Sequence, residues 1–103
     1  MNADNERLLH NNKVGPLLRP GEICDAAIEA IRMDNPDKEF IIKDEFAYFR
    51  VETNQECVIR RETMEKLLGR PFDLQELGVA LAGFAGQIDF GTATARFYLE
   101  EVL

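Results

Sequence analysis

Few side chains in this sequence could do chemistry. A nucleophilic site needs an attacking atom, a base within hydrogen-bond reach and a group orienting that base. The chain has no serine, one histidine (His10) and two cysteines (Cys24 and Cys57). His10 could serve Cys57 as a base, but Cys57-Val58-Ile59 reads as a strand, where a small apolar residue is ordinary core. A metal site needs clustered His, Cys and carboxylates. Here they are dispersed, and Asp34, Asp37 and Asp44 fall in turns, where Asp bonds local backbone. A phosphate cradle needs a Gly-rich loop leading from strand to helix. Gly83 to Gly86 encloses Phe84 and Ala85, and no helix follows. The acidic residues, Glu100-Glu101 among them, read as solvated surface.

What remains is polar density in loops. His10-Asn11-Asn12 runs into Val14-Gly15-Pro16-Leu17-Leu18-Arg19. Gly69-Arg70-Pro71-Phe72 punctuates two helical stretches, and Phe84-Ala85-Gly86-Gln87-Ile88 joins a helix to a strand. Each has a plain reading as turn or connector. Together they fit a small recognition domain better than an enzyme.

The elements that would position these segments follow from spacing. Val14–Arg19 predicts a short strand, with Pro16 marking an edge or a bulge. Ile23, Ala27, Ala30 and Ile31 recur at helical spacing behind Glu22 and Asp25, and Asp34-Asn35-Pro36-Asp37 ends that helix. Three strands follow: Phe40–Ile42, an alternating Phe46–Val51 after a Lys43–Glu45 turn, and Cys57–Ile59 after a Thr53–Gln55 turn. A helix from about Glu62 to Leu68 stops at Gly69. Asp73 as N-cap with Glu76 starts the last helix, with Leu74, Leu77 and Leu81 as its buried stripe and Gly83 as its end. A hairpin closes the chain, with Ala95, Phe97 and Leu99 inward and Arg96 and Tyr98 outward. The order is β-α-β-β-β-α-α-β-β, an α+β class with a mostly antiparallel sheet and three helices.

Length and charge narrow the partners. With 103 residues and 46% hydrophobic content, one domain over 10–103 behind a flexible tail at 1–9 is the economical reading. A net charge of −7 disfavours nucleic acid and anionic membranes. Two distant cysteines, no signal-like N-terminus and no long apolar run predict a reduced, cytoplasmic protein.

Five motifs in order carry a family resemblance. Leu9-His10-Asn11-Asn12 with Val14-Gly15-Pro16 and Arg19 is the first, and Asp34-Asn35-Pro36 with Lys38-Glu39 the second. Leu68-Gly69-Arg70-Pro71-Phe72 with Gln75-Glu76-Leu77, Phe84-Ala85-Gly86-Gln87-Ile88 and Arg96-Phe97-Tyr98 complete the set. They resemble the effectors of toluene 4-monooxygenase type within the coupling or regulatory proteins of bacterial multicomponent di-iron monooxygenases. The likeness runs from about Leu9 to Glu100.

The resemblance implies a non-catalytic protein without cofactor that docks on the di-iron hydroxylase, raising rate, coupling and regiospecificity of aromatic hydroxylation. It implies a surface shared with a Rieske-type ferredoxin, and a monomer when free. The motif positions mark Asn11, Asn12, Val14, Gly15, Pro16, Arg19, Asn35, Pro36, Arg70, Pro71, Phe84 and Gln87 as hydroxylase-docking residues, with no catalytic, cofactor or metal residue. The alternative is a small-molecule-binding regulatory domain of α+β type, which requires a preformed apolar pocket.

Overall fold

The computed structural model describes residues 12–100. Asn11 and the expected 1–9 tail lie outside them. Among the described residues the order is β1 (Lys13–Leu18), α1 (Glu22–Asp34), β2 (Ile41–Asp44), β3 (Phe49–Asn54) and β4 (Glu56–Arg60). Then come α2 (Arg61–Leu68), α3 (Leu74–Ala80), β5 (Leu81–Ala85), β6 (Gln87–Phe90) and β7 (Thr94–Tyr98). The α+β class and the three helices match the sequence reading, and a tenth element, β5, is added to it.

The strands form two antiparallel sheets, ordered β2-β3-β1-β5 and β4-β7-β6. Val14, Leu18 and Val51 from the first meet Cys57, Ile59, Ala95 and Phe97 from the second in one buried core. Cys24, Ala27, Ala30 and Ile31 of α1, Met64 of α2 and Leu74 and Leu77 of α3 extend it. Burial of such side chains stabilises by about 1.5–3 kcal/mol each for the larger ones. The chain passes from the first sheet to the second twice. Gln55 (φ 69°) joins β3 to β4, and Gly86 (φ 90°) joins β5 to β6.

Local rules account for several boundaries. Asp73 accepts from the Gln75 N–H (2.9 Å), and Glu76 accepts from the Asp73 N–H (3.1 Å), which closes the expected capping box. Gly69, at φ 70°, ends α2 by sending its N–H to the Glu65 carbonyl. The α2 start has no cap of its own. Asp34, at the end of α1, supplies one by accepting from the Arg60 N–H (2.8 Å) and the Thr63 hydroxyl (2.6 Å).

Three local expectations are corrected. β1 is an inner strand between β3 and β5, so Pro16 marks no edge. Its missing N–H falls where the β1–β3 ladder is interrupted, between the Val14–Thr53 and Leu17–Arg50 pairs. The register slip lies nearby, between Leu17 and Leu18 opposite β5.

The last helix stops at Ala80 rather than Gly83. The Arg19 N–H bonds the Ala80 carbonyl (2.8 Å), and its guanidinium donates to the carbonyls of Val79 (2.9 Å) and Leu81 (2.5 Å). With those acceptors held, Leu81–Ala85 pairs with β1 instead. The third correction concerns the β2–β3 hairpin. Lys43 and Asp44 are in β2, and Phe46 sits in the turn at φ 75° rather than in a strand.

Candidate docking surface

The strand registers sort the sequence-marked residues by place. Lys13 pairs with Asn54 at one end of β1, and Leu18 with Phe49 and Leu81 at the other, about 17 Å away at strand rise. The first end is rich in amides. The Gln55 N–H donates to the Asn12 carbonyl (2.7 Å), and the Lys38 ammonium donates to the Asn54 carbonyl (2.6 Å). The Leu99 N–H donates to the Gln55 carbonyl (3.2 Å), and Gln87 pairs with Tyr98 in the β6–β7 ladder. Asn54, Gln55 and Gln87 are exposed, and Asn12 is half-buried. Both sheet crossovers lie here, and that is why polar side chains converge on this end.

Gly86 makes that convergence possible. A Cβ there would lie 2.6 Å from Val14 Cγ1 and 2.7 Å from the Tyr98 carbonyl oxygen. Beside it, the Arg96 guanidinium stacks on the Tyr98 ring (4.0 Å to the centroid) and donates to Glu56. Phe84 is 44% exposed on β5, its ring centroid 6.3 Å from that of buried Phe97. Pro36 is exposed on the turn between Asn35 and Lys38, whose N–H bonds the Asn35 carbonyl (3.1 Å).

Other marked residues have different places. Val14, Gly15 and Pro16 are buried in β1 and present no side chain to a partner. Asn35 is also buried. Its Nδ2 donates to the Ile31 and Val58 carbonyls (2.7 Å each), and its Oδ1 accepts from the Val58 N–H (2.9 Å). The side chain thus occupies the open edge of β4 as a neighbouring strand would. Arg19 holds the α3–β5 junction at the far end of β1.

Arg70 and Pro71 are exposed, but Arg70 is bonded to Glu76 (3.2 Å). Their loop faces the Phe90–Thr92 turn, opposite the Gln87–Tyr98 end of that hairpin. The structure therefore groups Asn12, Pro36, Phe84 and Gln87, and separates Arg19, Arg70 and Pro71 from them. Asn54, Gln55 and Lys38 join the group although the sequence reading treated Asn54-Gln55 only as a turn. The adjacent amide pair was the signal available there.

No group of three or more His, Cys, Asp or Glu among the described residues could hold a metal ion. Burial pushes the Cys57 thiol up to about 12, so it stays protonated and poorly nucleophilic at neutral pH. Burial also raises Cys24, with Asp25 adding to the effect. A cleft of 740 Å³ between α2, α3 and the β6–β7 turn opens to solvent. Arg61, Glu65, Asp73, Gln75 and Glu76 make much of its wall polar. That differs from the enclosed apolar pocket of a small-molecule regulator. No helix among the described residues is long and apolar enough to cross a membrane.

The described residues thus form two antiparallel sheets with three helices and an amide-rich end. Residues 12–98 match the MmoB/DmpM family, and the chain belongs to it. It is 33% identical over 90 residues to the effector subunit of the alkene monooxygenase system of Xanthobacter autotrophicus, covering 87% of this chain and 89% of that one. It is 39% identical over 73 residues to the stimulatory component DmpM of phenol 2-monooxygenase from a Pseudomonas species, covering 71% and 77%.

In a solved phenol hydroxylase–regulatory protein complex, one chain superposes with a TM-score of 0.75 at 30% identity, covering 85% of this chain and 99% of that one. Regulatory protein B of soluble methane monooxygenase shares the fold, with a TM-score of 0.64 at 18% identity over 87% and 67% of the two chains.

Proposed function

We propose that this protein is the effector of a multicomponent monooxygenase, binding its di-iron hydroxylase and raising the rate, coupling and regiospecificity of hydroxylation. The observation that carries the reading is the family match over residues 12–98, reinforced by the likeness to a chain of a phenol hydroxylase–regulatory protein complex. The five motifs favour an aromatic, toluene-type hydroxylase, while the relatives named above belong to alkene and phenol systems. The protein works in the cytoplasm, is a monomer when free and shares its docking surface with a Rieske-type ferredoxin.

The physical basis is differential binding. An effector shifts its partner only as far as it binds the active conformation better than the resting one. A preference of about 1–3 kcal/mol moves that equilibrium roughly 5–150-fold. The docking surface is the amide end: Asn12, Pro36, Asn54, Gln55, Phe84 and Gln87, with Asn11 preceding it in sequence. Amides exchange hydrogen bonds with a partner without the desolvation cost of burying a charge. Val14, Gly15, Pro16 and Asn35 support this surface from beneath.

Gln55→Ala and Gln87→Ala tests the assignment, read as affinity for the hydroxylase in titration. Each is expected to weaken binding about fivefold to tenfold, in the range of contributing interface residues, while Arg70→Ala leaves it unchanged. Wild-type affinity in both glutamine variants, with a loss in Arg70→Ala, would move the surface to the other side of the domain.

A further inference from the structure

A groove of 570 Å³ runs between the N-terminal half of α1 and the last turn of α2. Ala26 of α1 and Leu67 and Leu68 of α2 give it an apolar lining, and Leu67 is 40% exposed. Glu22, Asp25 and Glu29 line it as well, all three exposed, while no Lys or Arg among the described residues does.

The helical repeat explains this arrangement. Glu22, Asp25, Ala26 and Glu29 stand at i, i+3, i+4 and i+7, on one face of α1. Cys24, Ala27, Ala30 and Ile31 turn the other face into the core. The carboxylates therefore form a row about 10 Å long. Glu29 bonds Arg32 (3.2 Å), whereas Glu22 and Asp25 pair with no base among the described residues. The helix dipole favours acids in the first turn of α1, but it does not account for the leucines that share the groove.

We propose that this groove takes an apolar segment of the hydroxylase that bears Lys or Arg, a contact apart from the amide surface. The proposal rests on the effector reading. Charge selects the occupant, because its cations meet the carboxylate row while its apolar side chains cover Leu67 and Leu68. A second copy of this chain would bring a net −7 against −7. The chain's own residues 1–11 bring two carboxylates, Asp4 and Glu6, against one arginine, Arg7. They also join the fold at the end of β1 away from Gly21. Since the carboxylates are exposed, they act chiefly on the association rate and its salt dependence.

Glu62→Lys is a matched control. Glu62 also lies in the first turn of a helix, α2, and its reversal changes net charge equally, but it lies outside the groove. The test is titration against the purified cognate hydroxylase. At about 50 mM salt, Glu22→Lys and Asp25→Lys are each expected to bind about tenfold more weakly than wild type, and Glu62→Lys within about twofold of it. Those losses shrink at about 0.5 M salt, where screening is strong. Leu67→Ala weakens binding about fivefold at both concentrations, with a urea midpoint near that of wild type. If a reversal unfolds the chain, Glu22→Gln with Asp25→Asn carries the same test at about fivefold.

Equal losses in Glu22→Lys, Asp25→Lys and Glu62→Lys reduce the effect to net charge and overturn the groove. Wild-type binding by the groove variants, with the loss in Gln55→Ala kept, overturns the groove and leaves the effector reading standing. No binding by wild type overturns the effector reading and the groove with it. Self-association of wild type in sedimentation, abolished in Leu67→Ala, assigns the groove to a second copy and overturns the proposal.

Discussion

Gly15→Ala is expected to cost about 4 kcal/mol or more, enough to leave much of the protein unfolded when total stability is about 5–15 kcal/mol. A Cβ at Gly15 would sit 2.0 Å from the Val51 carbonyl oxygen and 3.0 Å from its carbon. Both are backbone atoms of β3, so no rotamer change relieves the overlap and the two inner strands must part. Parting them disturbs the packing of buried Val14, Leu18 and Val51. The φ of +146° adds backbone strain for any L side chain.

Gly21 is the matched control. It has the same φ but nothing within 4 Å of its would-be Cβ, so Gly21→Ala carries only the backbone part of the cost. Urea denaturation followed by circular dichroism separates the two. A wild-type midpoint in Gly15→Ala would mean that β1 and β3 are not in this close register.

The second large effect is at Asn35. Asn35→Ala is expected to destabilise by about 2–4 kcal/mol, since it removes three hydrogen bonds and strips the partner groups of Val58. Asn35→Asp should be at least as harmful at neutral pH. Its carboxylate can accept from the Val58 N–H but cannot donate to the two carbonyls, which it would repel. This pattern distinguishes a hydrogen-bonded edge cover from a residue kept for size. An Asn35→Asp variant with the wild-type urea midpoint would contradict it.

Features set by local chemistry were legible in the sequence. The Asp73–Glu76 capping box, the left-handed stop at Gly69 and the inward Ala95 and Phe97 all follow from short-range spacing. Features set by distant partners were not. Leu81 and Ala82 read as the end of the last helix and Phe84–Ile88 as a link, yet Leu81–Ala85 is a strand because β1 and Arg19 take its backbone groups. Pro16 read as an edge or a bulge because proline lacks a donor; the strand is an inner one with a register slip at Leu17/Leu18, and Gly15 lets β3 approach it closely.

The grouping of residues proposed as the docking surface was legible only in part for the same reason. Asn12 and Gln87 are brought to one end by the two sheet crossovers, and the Pro36 loop is tied there by the Lys38–Asn54 bond; no spacing rule specifies either. Asn35 was marked for its polarity and its motif, while its side chain is spent inside the fold.

The central claim is that this chain makes a hydroxylase work better without reacting itself. Its most direct test is a reconstitution of hydroxylase, ferredoxin and reductase in which hydroxylated product and electrons consumed are counted together as this protein is added. Product per electron should rise and level off near one effector per hydroxylase active site, and the chain alone should form no product. A ratio that stays flat through a stoichiometric excess would contradict the account.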